Sequence, residues 1–136
     1  MSSTFFGASF DATDAVRAAQ FWAAVLDRTV ADGADEHDAV VEAGDPGSGP
    51  RLAFHKVPEA KSVKNRFHPD LITGDYEGES ERLLALGATK LHEVVRGGAR
   101  WTTFADIVVT ASLLRVLESG IPEYNDARLE CRSTSC

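Results

Sequence analysis

The chain has 136 residues, of which 43% are hydrophobic and 26% are charged, proportions typical of one soluble domain. Its 14 basic and 21 acidic residues give a formal net charge of −7, and an acidic surface repels the phosphate backbone of nucleic acids. No apolar run approaches the roughly 20 residues of a membrane span, and no secretory signal is visible. These features predict a domain that binds neither nucleic acid nor membrane.

The two cysteines, Cys131 and Cys136, lie at the C-terminal end of the chain. They cannot cross-link a core, and a body free of cysteine is typical of the reducing cytoplasm. We therefore expect a cytoplasmic protein with both cysteines in a polar tail over residues 121–136.

The first half of the chain predicts a strand, a helix and further short strands. Residues 4–10 are apolar, as in a buried strand. Asp14 then offers an N-cap to an alanine-rich amphipathic helix over residues 15–26. A turn rich in Gly and Pro, residues 44–50, divides the strands that follow. These strands are predicted at residues 29–31, 39–42 and 52–57.

The same order then restarts in the second half. A strand is predicted over residues 66–73, followed by the N-cap Asp75 and a helix over residues 77–86 that Gly87 ends. Two more strands are predicted at residues 89–95 and 100–105, and the apolar segment 108–117 is predicted to form a last strand or a short helix.

The doubled order predicts an α+β fold built from two βαβββ modules, about residues 4–57 and 65–118, within a single domain over residues 1–120. The spacing of apolar residues along the predicted helices and strands places large apolar side chains on the faces that point to the core. We expect the core to contain Phe6, Ala8, Phe10, Phe21, Trp22, Leu26, Phe54, Phe67, Leu71, Leu83 and Phe104.

This order resembles the vicinal oxygen chelate superfamily, which includes glyoxalase I, bleomycin-resistance proteins and extradiol dioxygenases. Residues 10–14 followed by residues 21–26 resemble its first strand and helix. Residues 52–71 closely resemble a glyoxalase-like subgroup, and the similarity continues through residues 82–89 and 101–106. The resemblance implies that the strands curl into a mixed-sheet cup with one helix behind each module.

The resemblance also implies four metal-ligand positions, two in each module. In this chain they fall on Gly7, His55, His68 and near Arg115. Glycine has no side chain, and arginine stays protonated and cannot ligate a metal. After Asp106 the Pro-x-Gly-Asn turn of the family is missing, which puts the last position in doubt. We therefore expect no complete metal site and no cofactor.

An alternative remains open, because strand alternation places His55, His68 and Asp70 on the cup side. Two imidazoles and a carboxylate are a plausible set for a divalent metal. The competing interpretation is that these polar side chains only form hydrogen bonds across a sheet.

A ligand in the cup would meet a mixture of polar and aromatic side chains. Trp101 either stacks on a flat ligand or packs in the core, and both alternatives stay open. The basic segment 56–66 is best interpreted as a solvated linker, although Arg66 can bind a carboxylate in bidentate fashion. The predicted ligand-binding residues are Ser9, His55, Arg66, His68, Asp70, Trp101 and Thr103.

Three functions follow from these expectations. The leading one is a glyoxalase-like protein that binds a small molecule of unspecified identity. The second is a metal-dependent lyase or isomerase of the same superfamily. The third is a protein that sequesters a drug or metabolite, for which an acidic groove would suit a cationic ligand. We also expect a homodimer, with the apolar strand 108–117 or the first strand near the interface.

Overall fold

The computed structural model describes residues 2–63, 67–107 and 113–118. The first half contains the elements β1 (Gly7–Ala12), α1 (Ala15–Leu26), β2 (Asp38–Val41) and β3 (Arg51–Lys56). The second half contains β4 (Asp70–Thr73), α2 (Tyr76–Ala85), β5 (Thr89–Arg96), β6 (Ala99–Ala105) and β7 (Leu113–Glu118). The tail predicted at residues 121–136, with its two cysteines, lies outside the described residues.

The strands form two sheets with the same topology. In the first sheet the order is β1-β3-β2, and in the second it is β4-β7-β6-β5. Each sheet has one parallel pair, β1 with β3 and β4 with β7, and its other pairs are antiparallel. An isolated bridge from Val30 to Val41 occupies the position that β5 has in the second sheet. The doubled βαβββ order and the α+β class are thus confirmed, with the strand predicted at 29–31 reduced to one bridge.

Both predicted helix N-caps are confirmed. The carboxylate of Asp14 accepts the backbone N–H of Arg17 at 3.2 Å. In the second module Asp75 accepts the N–H of Gly78 at 3.0 Å. A Cβ at Gly78 would lie 2.1 Å from the Asp75 carboxylate, so the absence of a side chain there allows the cap to close. Each cap satisfies a backbone donor that the first helical turn leaves without a partner.

The apolar side chains of both halves form one continuous core. Of the predicted core residues, five are fully buried: Phe21, Trp22, Phe54, Leu83 and Phe104. Three more pack against them while half-buried: Phe10, Leu26 and Leu71. Ala8 is also half-buried. Because α1, α2 and the helix-facing sides of both sheets contribute to this core, the two modules are buried against each other rather than separately.

The predicted burial of two core residues is wrong. Phe6 is 73% exposed and Phe67 is 62% exposed. Both lie ahead of the strand that was expected to carry them, since β1 begins only at Gly7 and β4 only at Asp70. Outside a strand, both side chains stay largely at the surface: the ring of Phe67 lies 6.4 Å from that of Phe10 at the edge of the core, and the ring of Phe6 lies beside the guanidinium of Arg51. The last strand also differs from the prediction, because β7 begins at Leu113 and residues 108–112 lie outside the described residues.

The guanidinium of Arg82 in α2 joins the two halves. The last carbonyls of α1 have no partner within their own helix, and Arg82 donates from Nη1 to Ala24 at 2.9 Å and from Nη2 to Val25 at 2.8 Å. Glu79 holds the same guanidinium through Nε at 2.8 Å and Nη2 at 2.7 Å. This contact keeps the pKa of Arg82 above its ordinary value. A cation at the C-terminus of α1 also stabilises its dipole, and α1 has no basic residue of its own in its last turn.

A buried hydrogen bond makes a second link between the halves. The indole Nε1 of Trp22 in α1 donates to Oδ2 of Asp106, just after β6, over 3.3 Å. Asp106 is 4% exposed and Trp22 is 2% exposed. A buried carboxylate without a hydrogen-bond donor destabilises the fold, so this bond fixes the end of β6 against the helix of the other module.

Within the described residues, no helix is long and apolar enough to cross a membrane.

We predict that Arg82→Ala lowers the free energy of unfolding by about 1–2 kcal/mol, because two helix-terminal carbonyls and Glu79 lose a charged donor that is partly exposed to solvent. The measurement is urea denaturation followed by circular dichroism. Arg17→Ala, an exposed arginine on α1, is the matched control and is expected to change stability by less than about 0.5 kcal/mol. Equal effects of the two substitutions would contradict the bracing role of Arg82.

Candidate functional site

Within the described residues, the first sheet packs against α1 on one face and has no helix on the other. Strand register places Ser9 beside Ala53, and Asp11 beside His55, on the same side of the sheet. On the opposite side Phe10 and Phe54 are adjacent, with ring centroids 5.5 Å apart, and belong to the core. His55 and Ser9 therefore lie on the helix-free face, which is the orientation that strand alternation predicts.

The second sheet is arranged in the same way. Asp70 and Thr103 both pair with position 115 of the central strand, and Trp101 lies two residues from Thr103 on the same face. Thr102 points to the other side, where its hydroxyl contacts the hydroxyl of Tyr76 in α2. Thr103 is buried, while Trp101 is half-buried. His68 is half-buried just ahead of β4.

A single chain does not combine these two faces into one metal-binding group. The two sheets share no strand pairing in the part of the chain that is described. Among residues 2–63 and 67–107, no group of three His, Cys, Asp or Glu side chains could hold a metal ion. The candidate trio His55, His68 and Asp70 is therefore divided between the two halves. Arg66, the remaining predicted ligand residue, lies outside the described residues.

His55 has a carboxylate partner that the sequence pattern does not reveal. Its Nδ1 lies 2.7 Å from Oδ1 of Asp38, the residue opposite it in the antiparallel register of β2 and β3. A turn fixes Asp38, because the carboxylate of Asp35 accepts the backbone N–H groups of His37 at 2.8 Å and Asp38 at 2.9 Å. These two hydrogen bonds hold the pKa of Asp35 below its ordinary value. From sequence this acidic run is interpreted only as a solvated turn. Asp35 could have indicated the ordered turn, because an aspartate side chain commonly accepts hydrogen bonds from the backbone N–H groups two and three residues further along.

The pair formed by Asp38 and His55 has a defined chemical capacity. When the imidazole is neutral and donates its Nδ1 proton to the carboxylate, Nε2 is left as an acceptor on the helix-free face. Such a nitrogen can accept a hydrogen bond from a ligand or take a proton from it. Both side chains are exposed, so the pair is accessible.

A groove of about 880 Å³ opens at the other end of the first sheet, near the start of β3. The described members of the predicted ligand set do not line it, and the sequence pattern indicates only a turn at residues 44–50. The groove is lined by Thr4, Phe5, Phe6, Ala31, Val40, Glu42, Ala43, Gly44, Asp45, Pro46, Gly47, Gly49, Pro50 and Arg51.

A family model described as a glyoxalase-like domain matches residues 7–108. No curated protein matches the chain.

Solved structures share the fold at low sequence identity. The fosfomycin-resistance protein FosX from Mesorhizobium loti is 16% identical, with a TM-score of 0.68, over 92% of this chain and 99% of that chain. A mutant of FosX from Listeria monocytogenes, complexed with Mn(II) and a dihydroxypropylphosphonic acid, is 16% identical, with a TM-score of 0.70, over 94% and 98%. A glyoxalase/bleomycin resistance protein/dioxygenase from Nocardioides is 16% identical, with a TM-score of 0.65, over 90% and 89%. At this identity the likeness extends to the fold alone.

We predict that neutral His55 carries its proton on Nδ1, because the Asp38 carboxylate accepts it. Nitrogen-15 NMR of the imidazoles in mildly alkaline solution distinguishes the two tautomers. In Asp38→Ala the Nδ1–H population of His55 is expected to fall, while His92 on β5 keeps its wild-type spectrum as the internal control. An unchanged His55 spectrum in this variant would contradict the orienting role of Asp38.

Proposed function

This chain belongs to the glyoxalase-like domain family, and from that premise we propose that it binds a small organic molecule at a site completed between two copies of the chain. The observation that carries the proposal is the division of the candidate ligand-binding residues between two helix-free faces. One face holds Ser9 and His55, and the other holds Asp70, Trp101 and Thr103.

A two-fold dimer is the simplest way to combine these faces. Since the helix sides of both sheets are buried in one core, the helix-free faces remain available for a partner. A two-fold axis that brings the first face of one copy to the second face of the other forms two identical sites. The second face also exposes Ile72, a large apolar side chain that is 57% accessible and lies on the same side of β4 as Asp70. An exposed apolar residue beside polar ones is typical of an interface.

The chemistry of the two faces suits a flat organic molecule with a few hydrogen-bonding groups. The imidazole of His55 and the carboxylate of Asp70 provide polar contacts, and Trp101 provides an aromatic surface on which a ring can stack. Arg66 is part of the proposal as an anchor for an anionic group. The absence of cysteine from residues 1–130 supports the further proposal that the protein functions in the cytoplasm.

The family resemblance implies a divalent metal, and the residues present do not supply the full donor set. Gly7 has no side chain, and Arg115 stands where the resemblance places a ligand. His55, His68 and Asp70 could come together only across the proposed interface. The metal-dependent lyase or isomerase is therefore the second candidate, and no catalytic step is derived through a metal.

Sequestration of a drug or metabolite is the third candidate. It is favoured by structural neighbours whose names include fosfomycin resistance and bleomycin resistance. A sequestering protein needs a binding site but does not need a complete set of catalytic residues. Ligand protection without turnover would distinguish it from the enzyme.

The first test is a thermal-shift screen with fosfomycin, bleomycin and a library of flat aromatic compounds. A compound that binds the folded state raises the melting temperature. We expect this stabilisation to shrink in His55→Ala and in Trp101→Ala and to persist in the control Arg17→Ala. Equal stabilisation in all four proteins would place the ligand elsewhere, and a screen without any stabilising compound would contradict ligand binding. Stoichiometric divalent metal that is lost on His68→Ala would promote the second candidate.

A mixing experiment then tests whether the site is shared. His55→Ala and Trp101→Ala each weaken both sites of their own dimer, but their mixed dimer has one site in which both residues are intact. After exchange of subunits, an equal mixture is expected to recover about a quarter of the wild-type sites. Calorimetry measures this stoichiometry, and light scattering checks that the particle has twice the chain mass of 14.6 kDa. No recovery, or a monomer at all concentrations, would contradict a shared site.

A further inference from the structure

The groove near the start of β3 has the properties of a separate binding site. Its two sides are the N-terminal residues 4–6 and the segment 42–51, and Ala31 and Val40 also line it. We propose that this groove binds an apolar organic cation. The inference is independent of the proposed site between two copies, because it rests on different residues.

The loop that forms one wall is fixed in place by the chain itself. The guanidinium of Arg28 donates from Nη1 to the carbonyl of Pro50 at 2.7 Å and from Nη2 to the carbonyl of Ser48. Ser48 in turn donates to the carbonyl of Asp45 from its backbone N–H at 2.9 Å and from its hydroxyl at 2.6 Å. Gly49 has φ of +106°, and a Cβ there would lie 3.0 Å from Nη2 of Arg28. The wall is therefore formed before any ligand arrives, which lowers the cost of binding.

Aromatic rings form the opposite side. Phe5 is 71% exposed and Phe6 is 73% exposed, although a chain of this kind buries most of its large apolar side chains. The guanidinium of Arg51 lies 5.2 Å from the ring centroid of Phe6. A cation thus lies within cation–π distance of an aromatic face in this groove. The neighbouring ring of Phe5 offers a similar surface to a ligand.

Charge decides which kind of apolar ligand fits. Two carboxylates, those of Glu42 and Asp45, line the groove together with the guanidinium of Arg51. The guanidinium of Arg28 also lies in the wall, where the carbonyls of Ser48 and Pro50 bind it. Neither carboxylate forms an ion pair with another described residue. The chain as a whole carries a net charge of −7, which attracts cations and repels anions. An apolar cation therefore gains both from the rings and from the carboxylates.

A pair of probes with the same shape and opposite charge tests the proposal. Tetraphenylphosphonium and tetraphenylborate are titrated into the full chain, and binding is followed by calorimetry and by backbone amide NMR. We expect the cation to bind at least about tenfold more tightly than the anion, since only the charge differs. Amide shifts are expected at Ala31, Val40 and the segment 42–51.

Matched variants separate a groove effect from the general charge of the protein. The double variant Glu42→Gln/Asp45→Asn is expected to weaken binding of the cation about tenfold. Glu59→Gln/Glu81→Gln removes the same charge from exposed positions elsewhere and is expected to retain wild-type affinity. Phe6→Leu, which keeps apolar volume but removes the ring, is expected to weaken binding about threefold.

Several results would overturn the proposal. These are tighter or equal binding of tetraphenylborate, amide shifts confined to other surfaces, equal losses in the two double variants, or no binding of the cation. Each variant is first compared with wild type by amide NMR, so that a loss of affinity is scored only for a folded protein.

Discussion

The bond between the two helices, made by the side chain of Arg82, is the contact on which the arrangement of this chain depends. A guanidinium from the second module closes the carbonyl end of the helix in the first module, and a carboxylate on its own helix holds it there. The buried bond from Trp22 to Asp106 fixes the same two modules at a second point. Together these contacts hold the two modules against each other, with the apolar faces of both helices in one core and their polar faces exposed.

This packing has a direct consequence for function. The helix sides of both sheets are buried in one core, and in the part of the chain that is described no helix packs on the faces that carry the polar side chains. The pair of Asp38 and His55 is accessible on one of these faces, and Trp101 is half-buried on the other. The modules are thus joined through one core, while their polar candidate residues lie on two different faces. We propose a second copy as the partner of these faces, whereas the groove beside Phe5 and Phe6 is lined by residues of one chain.

Much of the fold could be predicted because it is encoded locally. Asp14 and Asp75 are recognisable as caps from the helix that follows each of them, and the periodicity of Phe54, Leu83 and Phe104 indicates burial. The repeated order of elements then indicates the architecture. Phe6 and Phe67 show where this reasoning fails, because an apolar residue just ahead of a strand resembles part of it in sequence and yet lies outside the strand pairing that would bury it.

The site was harder to predict because it depends on contacts between distant parts of the chain. Strand alternation correctly places His55 on the helix-free face, but its partner Asp38 is identified only by the register of two strands. The wall of the groove depends on Arg28, which reaches a loop about twenty residues further along. Contacts of this kind have no periodic signal in a single sequence. That the two helix-free faces together bind a small molecule stays a proposal.

Because the two modules share one core, they are expected to unfold together. Native-state hydrogen exchange across a series of low denaturant concentrations can measure this, with the amides of Phe54 in β3 and Phe104 in β6 as reporters, since each lies in an inner strand of its sheet. We expect both amides to exchange through the same global opening, with the same free energy and the same dependence on denaturant. Exchange of one module through a separate opening, while the other stays protected, would contradict this expectation.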